Sequence, residues 1–123
     1  MLVDVNSSNF EERLMSEGIA FVDCWAPGCG ACGQFTPIFE AAAERHSSHT
    51  FAKLNTKDES DLARKLKVTH IPTTILFRDG LLLLRQPGYL SREEIDEAIA
   101  TAEGLDMARV RADMEKRLPG VAT

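Results

Sequence analysis

Two cysteines, Cys29 and Cys32, lie three residues apart in the segment DCWAPGCGACG, directly after an apolar run. Thiolates attack disulfides and also bind metals, so a C-x-x-C spacing indicates either thiol–disulfide exchange or a metal site. The pair falls between a predicted strand and a predicted helix. Free backbone N–H groups and the helix dipole then favour the thiolate of the first cysteine. Cys29 is therefore the predicted nucleophile, and Cys32 is the residue predicted to resolve the mixed disulfide.

Two other interpretations of these cysteines are open. Together with two histidines they give the spacing C-x2-C-x13-H-x2-H, which approaches a zinc-finger pattern and consists of Cys29, Cys32, His46 and His49. The final spacing is shorter than the usual three to five residues, and the flanking pattern is α/β rather than a small ββα finger. The other interpretation is a pair of inert cysteines. Exchange chemistry is favoured over both, and no metal site is expected.

The elements that position these thiols are predicted from hydrophobic periodicity. Strands are predicted at LVDV, IAFVDCWA, TFAKLN, TTILF and LLLL, with Asp79-Gly80 as the hairpin turn between the last two. Helices are predicted after Ser8, along CGQFTPIFEAAAERH with a kink at Pro37, at SDLARKL, and after Ser91. Ser8 with Glu11 and Ser91 with Glu94 match the capping-box pattern.

This order predicts an α/β fold with one mixed sheet and helices on both faces. Helices between strands are expected to give parallel pairs, and the hairpin adds an antiparallel one. Gly104 is expected to end the last full helix of a domain spanning residues 1–104. Residues 105–123 form a predicted C-terminal helical extension, marked by Met107, Val110, Met114 and Leu118 and stopped by Pro119-Gly120. That helix either packs on the domain or contacts a partner.

Bulk composition limits the classes of function. The chain has 123 residues, of which 44% are hydrophobic and 27% charged, typical of one globular domain. A formal net charge of -5 argues against a nucleic-acid partner, which requires a basic face. No apolar run is long enough for a membrane span, and no signal-peptide pattern is seen at the N-terminus. A cytoplasmic location is expected, where structural disulfides are rare.

The segment FVDCWAPGCGAC resembles the V-D-F-W-A-x-W-C-G-P-C motif of the thioredoxin family. The resemblance continues through AKLN, VTHIPTTILFRDG and PGYLS, and it covers roughly residues 1–104. It implies a thioredoxin fold and a protein-disulfide reductase that works through Cys29 and Cys32. It also implies disulfide-containing protein substrates and a thioredoxin-reductase-like electron donor. No bound cofactor is implied, because the thiols themselves carry the two electrons.

The resemblance also implies roles around the thiols. Asp23 corresponds to a buried carboxylate that moves protons to and from Cys32, and Lys53 to a lysine near it. Phe21, Asp23 and Trp25 share one strand face, and burial of an unpaired carboxylate is costly, which agrees with that role. A salt bridge at a strand end and a solvated surface lysine are the respective alternatives.

Further matches concern the substrate groove and the motif itself. Pro72 corresponds to a cis-proline facing the thiols, Ile71 to the residue whose backbone pairs with substrate, and Gly88 to a glycine beside that groove. An ordinary turn after Pro87 is the alternative for Gly88. Trp25 and Gly30 are implied supporting residues; a plain core tryptophan is the alternative for Trp25. Cys24, where the family usually has an aromatic, is expected to point away from Cys29 into the core.

Four residues depart from the family pattern. Gly28 replaces a tryptophan beside the nucleophile, Gly33 replaces a lysine, and Ala31 replaces the proline between the cysteines. Since proline pre-sets the first helical turn, Ala31 is expected to make the potential somewhat less reducing, by ~10–50 mV. His70, two residues before Pro72, is expected near the thiols, where its protonated ring would favour the Cys29 thiolate. An exposed histidine without effect is the alternative.

These observations predict an atypical thioredoxin-like reductase of protein disulfides. Two alternatives stay open. The same scaffold could act as a disulfide oxidant or isomerase if the pair is poised at a higher potential. It could also be a non-catalytic binding module that holds partners in the cis-proline groove. The departures at Gly28, Ala31 and Gly33 leave the choice of partner open.

Overall fold

Alternating strands and helices make up the fold in the computed structural model, which describes residues 2–117. The strands are β1 (Leu2–Asp4), β2 (Ile19–Trp25), β3 (Thr50–Asn55), β4 (Thr73–Arg78) and β5 (Leu81–Pro87). The helices are α1 (Phe10–Leu14), α2 (Gly30–Arg45), α3 (Ser60–Lys65), α4 (Arg92–Glu103) and α5 (Met107–Arg117). The predicted order of elements is thereby confirmed, including a helix after Gly104.

One five-stranded sheet runs in the order β1-β3-β2-β4-β5. Strand β3 pairs in parallel with β1 and β2, whereas β4 pairs antiparallel with β2 and β5. Six of the seven residues of the central strand β2 are buried, as expected for a continuous apolar strand covered on both faces. The expected mixed sheet is confirmed.

The direction of β4 corrects one expectation. A helix separates β3 from β4, yet β4 is antiparallel to β2, with Thr73 opposite Cys24. Helix α3 has only six residues and rises about 9 Å, whereas β2 is more than 20 Å long. The chain therefore does not return along the sheet, and β4 starts at the end where β2 stops. The loop before β4 and the loop that carries the thiols consequently lie at the same end of the sheet.

Two apolar cores lie on opposite faces of the sheet. The first packs α1 and α3 against the sheet and includes Leu14, Val22, Cys24, Leu62 and Ile75. The second packs α2 and α4 against the other face and includes Phe21, Phe35, Phe39, Phe51, Ile95 and Ile99. Because successive side chains of a strand point to opposite faces, Cys24 faces the first core, while Phe21 and Asp23 face α2.

Three features predicted from local sequence are present in the structure: the capping box at Ser91, the hairpin turn at Asp79-Gly80 and the end of α4. Ser91 Oγ accepts from the backbone N of Glu94, whose side chain accepts from the backbone N of Ser91, so the predicted capping box is confirmed. The hairpin turn has φ of 52° at Asp79 and 80° at Gly80, and a Cβ at Gly80 would approach Met15 O to 2.9 Å. Helix α4 ends at Gly104, as expected.

The capping box predicted at Ser8 is wrong. Asn6 Oδ1 accepts from the backbone N of Ser8 at 2.9 Å and from that of Asn9 at 3.1 Å. This local turn competes with helix formation. Helix α1 therefore begins only at Phe10, with Asn9 at its N-cap and no side-chain capping bond.

Helix α5 and the loop before it attach to the β4–β5 hairpin through arginines. Arg111 Nη2 donates to Asp79 O at 2.8 Å, and Arg78 Nη1 donates to Leu105 O at 3.0 Å. Met107 and Val110 are half-buried, whereas Met114 is 38% exposed. The helix thus has contacts with the domain; whether it also binds a partner stays a prediction. Leu118 and Pro119-Gly120 lie outside the described residues.

Helix α2 continues through Pro37 without interruption, and the predicted bend there stays a prediction. Within residues 2–117, no helix combines the length and apolar character that crossing a membrane requires.

Candidate active site

The two cysteines lie where β2 gives way to α2. Cys29 is the N-cap residue of α2, and its Sγ accepts a hydrogen bond from the backbone N of Cys32 at 3.2 Å. The cysteines form a disulfide with a Cα–Cα distance of 5.3 Å, within the usual range. Cys32 is 3% exposed, whereas Cys29 is half-buried. Cys29 is therefore the more accessible residue of the two, and it lies at the N-terminal end of α2, where the helix dipole is positive.

Small residues flank Cys29 along the chain. Gly28 has φ of +81°, in the left-handed region that favours glycine, and a Cβ there would meet no atom within 4 Å. Gly30 begins α2, and Ala31 and Gly33 are exposed. The loop before Cys29 thus carries no large side chain at Gly28. Its left-handed backbone there is readily adopted by glycine and would be strained for the tryptophan of the family pattern.

Asp23 is a fully buried carboxyl group on the sheet face covered by α2. Burial raises the pKa of Asp23 to about 6, and the nearby Lys53 ammonium limits the rise. Lys53 Nζ lies 3.4 Å from Asp23 Oδ2. No side chain or backbone group in residues 2–117 hydrogen-bonds to either carboxylate oxygen. A carboxyl group of this kind changes its protonation state near neutral pH, as a proton relay requires.

Lys53 contacts three groups around the thiol end of the sheet. Besides Asp23, its Nζ donates to Thr36 Oγ1 at 3.3 Å and lies 5.3 Å from the centre of the Trp25 ring. Thr36 Oγ1 in turn donates to the backbone O of Cys32 at 3.1 Å. The structure thus brings Lys53 beside Asp23 rather than leaving it as a solvated surface lysine. Trp25 is half-buried, and its Nε1 has no partner among the described residues.

The loop before β4 lies at the same end of the sheet. The Ile71–Pro72 peptide bond is cis, as the resemblance implies. Pro72 is buried, and Gly88 N donates to Pro72 O at 2.7 Å, which places Gly88 against this loop. Ile71 is 40% exposed. The exposed Ile71 thus directly precedes the buried Pro72.

His70 is exposed, and its Nδ1 lies 3.0 Å from Thr69 Oγ1. It lines a 380 Å³ depression together with residues of α3, among them Ser60 and Arg64. No hydrogen bond or ion pair of the described chain joins the His70 ring to Cys29 or Cys32. An effect of His70 on the thiols stays a prediction.

The histidines of the zinc alternative lie at the opposite end of α2. His46 Nε2 contacts Asp96 at 2.8 Å, and His49 Nε2 contacts Glu103 at 2.9 Å. Along α2, His46 lies 14 residues after Cys32, a rise of about 21 Å. The four residues therefore do not share one metal ion. In the described range, no group of three or more potential ligands gathers at one point.

Cys24 is fully buried and free, in the core away from the thiol pair, as expected. Burial, with a smaller effect of the Asp23 charge, raises the pKa of the Cys24 thiol to about 12. Cys24 therefore stays protonated and unreactive at neutral pH.

Sequence reasoning missed two residues near the site. The Thr36 hydroxyl hydrogen-bonds to both Lys53 and the backbone of Cys32. The only feature of the sequence that could have indicated this is the position of Thr36 one helical turn after Cys32. Tyr89 is 45% exposed and stacks on Phe35 with ring centroids 5.8 Å apart. The feature of the sequence that could have indicated Tyr89 is its position directly after Gly88, which the resemblance places beside the substrate groove. Tyr89 adds an exposed aromatic surface next to Gly88, whereas the loop at Gly28 carries none.

Comparisons with known proteins agree with this geometry. The family model for thioredoxin matches residues 1–101. A Streptomyces coelicolor protein named "Putative thioredoxin 2" is 33% identical over 109 residues, covering 89% of this chain and 81% of that protein. A thioredoxin of Staphylococcus haemolyticus is 33% identical over 99 residues, covering 80% and 94%. A thioredoxin of Alicyclobacillus acidocaldarius is 31% identical over 97 residues, covering 78% and 92%. The chain belongs to the thioredoxin family, and with its Cys29–Cys32 pair it is a thiol–disulfide oxidoreductase.

Proposed function

We propose that the protein reduces disulfides of other proteins. The observation that carries this proposal is the position of Cys29, accessible at the N-cap of α2 with a backbone N–H directed at its sulfur. In the reduced protein this environment stabilises a thiolate. That thiolate attacks a substrate disulfide, forms a mixed disulfide and releases one substrate thiolate, which takes up a proton.

Asp23 and Cys32 complete the reaction. The Cys32 thiol transfers its proton to the Asp23 carboxylate, and the resulting thiolate attacks the sulfur of Cys29. The Cys29–Cys32 disulfide forms, the second substrate thiolate leaves, and two electrons have passed to the substrate. The pKa of about 6 supports this role of Asp23, because its carboxylate then accepts protons near neutral pH.

The substrate is proposed to bind as an extended segment beside the Ile71–Pro72 loop, in contact with Gly28 and Gly88. The exposed Ile71 and the Pro72–Gly88 hydrogen bond support this placement. A thioredoxin-reductase-like protein is the proposed electron donor. The thiols carry both electrons, so the proposed cycle uses no bound cofactor. The proposed location is the cytoplasm, whose reducing poise favours the dithiol form.

The test is reduction of a disulfide-linked protein such as insulin, with dithiothreitol as the electron source. Cys29→Ser is expected to abolish turnover, and Cys32→Ser to accumulate a mixed disulfide that mass spectrometry detects. Cys24→Ala, which alters the remaining cysteine, serves as the matched control and is expected to retain activity. Turnover that survives Cys29→Ser contradicts the proposal.

The direction of electron flow is tested by the equilibrium potential of Cys29–Cys32 in a defined dithiol buffer. A value near -270 mV, the general figure for thioredoxin, supports reduction of substrates. A value near or above about -200 mV indicates an oxidant or isomerase instead. A wild type that binds partners without turnover, together with a Cys29→Ser variant that binds them equally, supports a binding module instead.

A further inference from the structure

The ammonium group of Lys53 lies between two competing environments. On the inner side are the Asp23 carboxylate at 3.4 Å and the Thr36 hydroxyl at 3.3 Å. On the outer side is a 330 Å³ cavity lined by Trp25 and Lys53 and by three carboxylates, Asp4, Asp58 and Glu59. A lysine side chain is long and flexible, so it can turn toward either set of negative charges. A further contact is therefore expected to keep the Lys53 ammonium beside Asp23.

Thr36 has the geometry to hold it. A hydroxyl group has one proton to donate and two lone pairs with which to accept. Thr36 Oγ1 donates that proton to the backbone O of Cys32 at 3.1 Å, so its lone pairs face the Lys53 ammonium. The hydroxyl is thereby anchored to the helical turn that carries Cys32.

We propose that Thr36 is a positioning residue that holds Lys53 against Asp23 and links this buried ion pair to the turn of Cys32. The inference rests on the proposed function, in which Asp23 exchanges a proton with Cys32. Thr36 touches neither the substrate nor the reacting sulfur atoms in this scheme. Its effect passes through Lys53.

Loss of the Thr36 hydroxyl is expected to raise the pKa of Asp23. Among the described residues, the charged and titratable groups beside Asp23 are Lys53 on β3 and Cys24 on β2. Cys32 on α2 is held in the disulfide and does not titrate in the oxidised protein, and Thr74, opposite Asp23 on β4, is uncharged. Burial raises the pKa of Asp23, and the Lys53 charge opposes that rise. Without the Thr36 contact Lys53 turns more often toward Asp4, Asp58 and Glu59. The pKa of Asp23 then rises further, so a smaller fraction of Asp23 is deprotonated and able to accept a proton from Cys32 at pH 7.

The experiment is a titration of the Asp23 carboxyl carbon by nuclear magnetic resonance in the oxidised protein. Thr36→Val keeps the shape but removes the hydroxyl, and it is expected to raise the midpoint by about 0.5–1 pH unit. A full opposite charge is worth about 1–3 such units, and here it is only weakened. Thr36→Ser is expected to titrate like the wild type. An unchanged midpoint in the valine variant, or a serine variant that behaves like valine, overturns the proposal.

A double-mutant comparison separates the effect on Lys53 from a general loosening of α2. In a Lys53→Gln background, Thr36→Val is expected to cause no further shift of the Asp23 midpoint, since the group it positions is gone. An additive shift overturns the proposal. If the valine variant does not fold, Thr36→Ala takes its place in both comparisons. The titration requires no disulfide exchange, so its outcome is independent of whether the wild type reduces insulin.

Discussion

The buried Asp23 carboxyl predicts that the protein loses stability as the pH rises from about 4 to about 6. In the unfolded chain Asp23 titrates at its ordinary pKa of 3.8, whereas in the folded protein its pKa is about 6. Between these values the folded state keeps a proton that the unfolded state has lost. The free energy of unfolding therefore falls by about 1.4 kcal/mol per pH unit in this window.

The magnitude follows from the two pKa values. Their difference corresponds to about 3 kcal/mol, because one pKa unit is worth about 1.4 kcal/mol. This stability is fully present below pH 3.8 and is lost once the pH has passed about 6. Asp23→Asn removes the titrating group, so the variant gains stability relative to the wild type as the pH rises. About 2 kcal/mol of that gain is expected between pH 4.5 and pH 8.

Urea unfolding of the oxidised proteins, followed by circular dichroism at pH 4.5, 6 and 8, measures this difference. The relevant quantity is the difference in free energy of unfolding between variant and wild type, and how that difference changes with pH. A change with pH is unaffected by any pH-independent destabilisation that the asparagine causes. Asp4→Asn removes an exposed carboxylate from β1, which β3 separates from β2, and serves as the control, with no comparable gain expected. A gap for Asp23→Asn that stays constant from pH 4.5 to pH 8 refutes the reasoning.

Three further predictions concern residues around the thiols. Ala31→Pro is expected to lower the reduction potential by ~10–50 mV, because proline pre-sets the first helical turn; an unchanged potential in a dithiol buffer contradicts this. His70→Ala is expected to reduce the fraction of Cys29 thiolate below pH 7, since a protonated ring stabilises the thiolate; superimposable thiol titrations of variant and wild type rule it out. Tyr89→Ala is expected to raise KM for insulin by about 3–10-fold with kcat nearly unchanged, because an exposed aromatic surface next to Gly88 is lost; equal KM values show that Tyr89 does not contact substrate.

Local patterns in the sequence were sufficient for the elements and for the reacting thiols. The capping box at Ser91, the hairpin turn at Asp79-Gly80 and the burial of Cys24 each depend on neighbouring residues or on strand alternation. The placement of Cys29 at a helix start likewise follows from a strand and a helix adjacent in sequence. At Ser8 the same kind of pattern failed, because Asn6 offered the backbone an alternative turn.

What the sequence determined by itself was therefore the order of elements, the C-x-x-C site and, through resemblance, the family. Only the tertiary structure decided the direction of β4, the distance from Lys53 to Asp23 and the bridging position of Thr36. These features depend on how far a short helix carries the chain and on side chains that meet only when β2, β3 and α2 pack together. No local pattern encodes such contacts, because each partner alone is an ordinary residue of its own strand or helix.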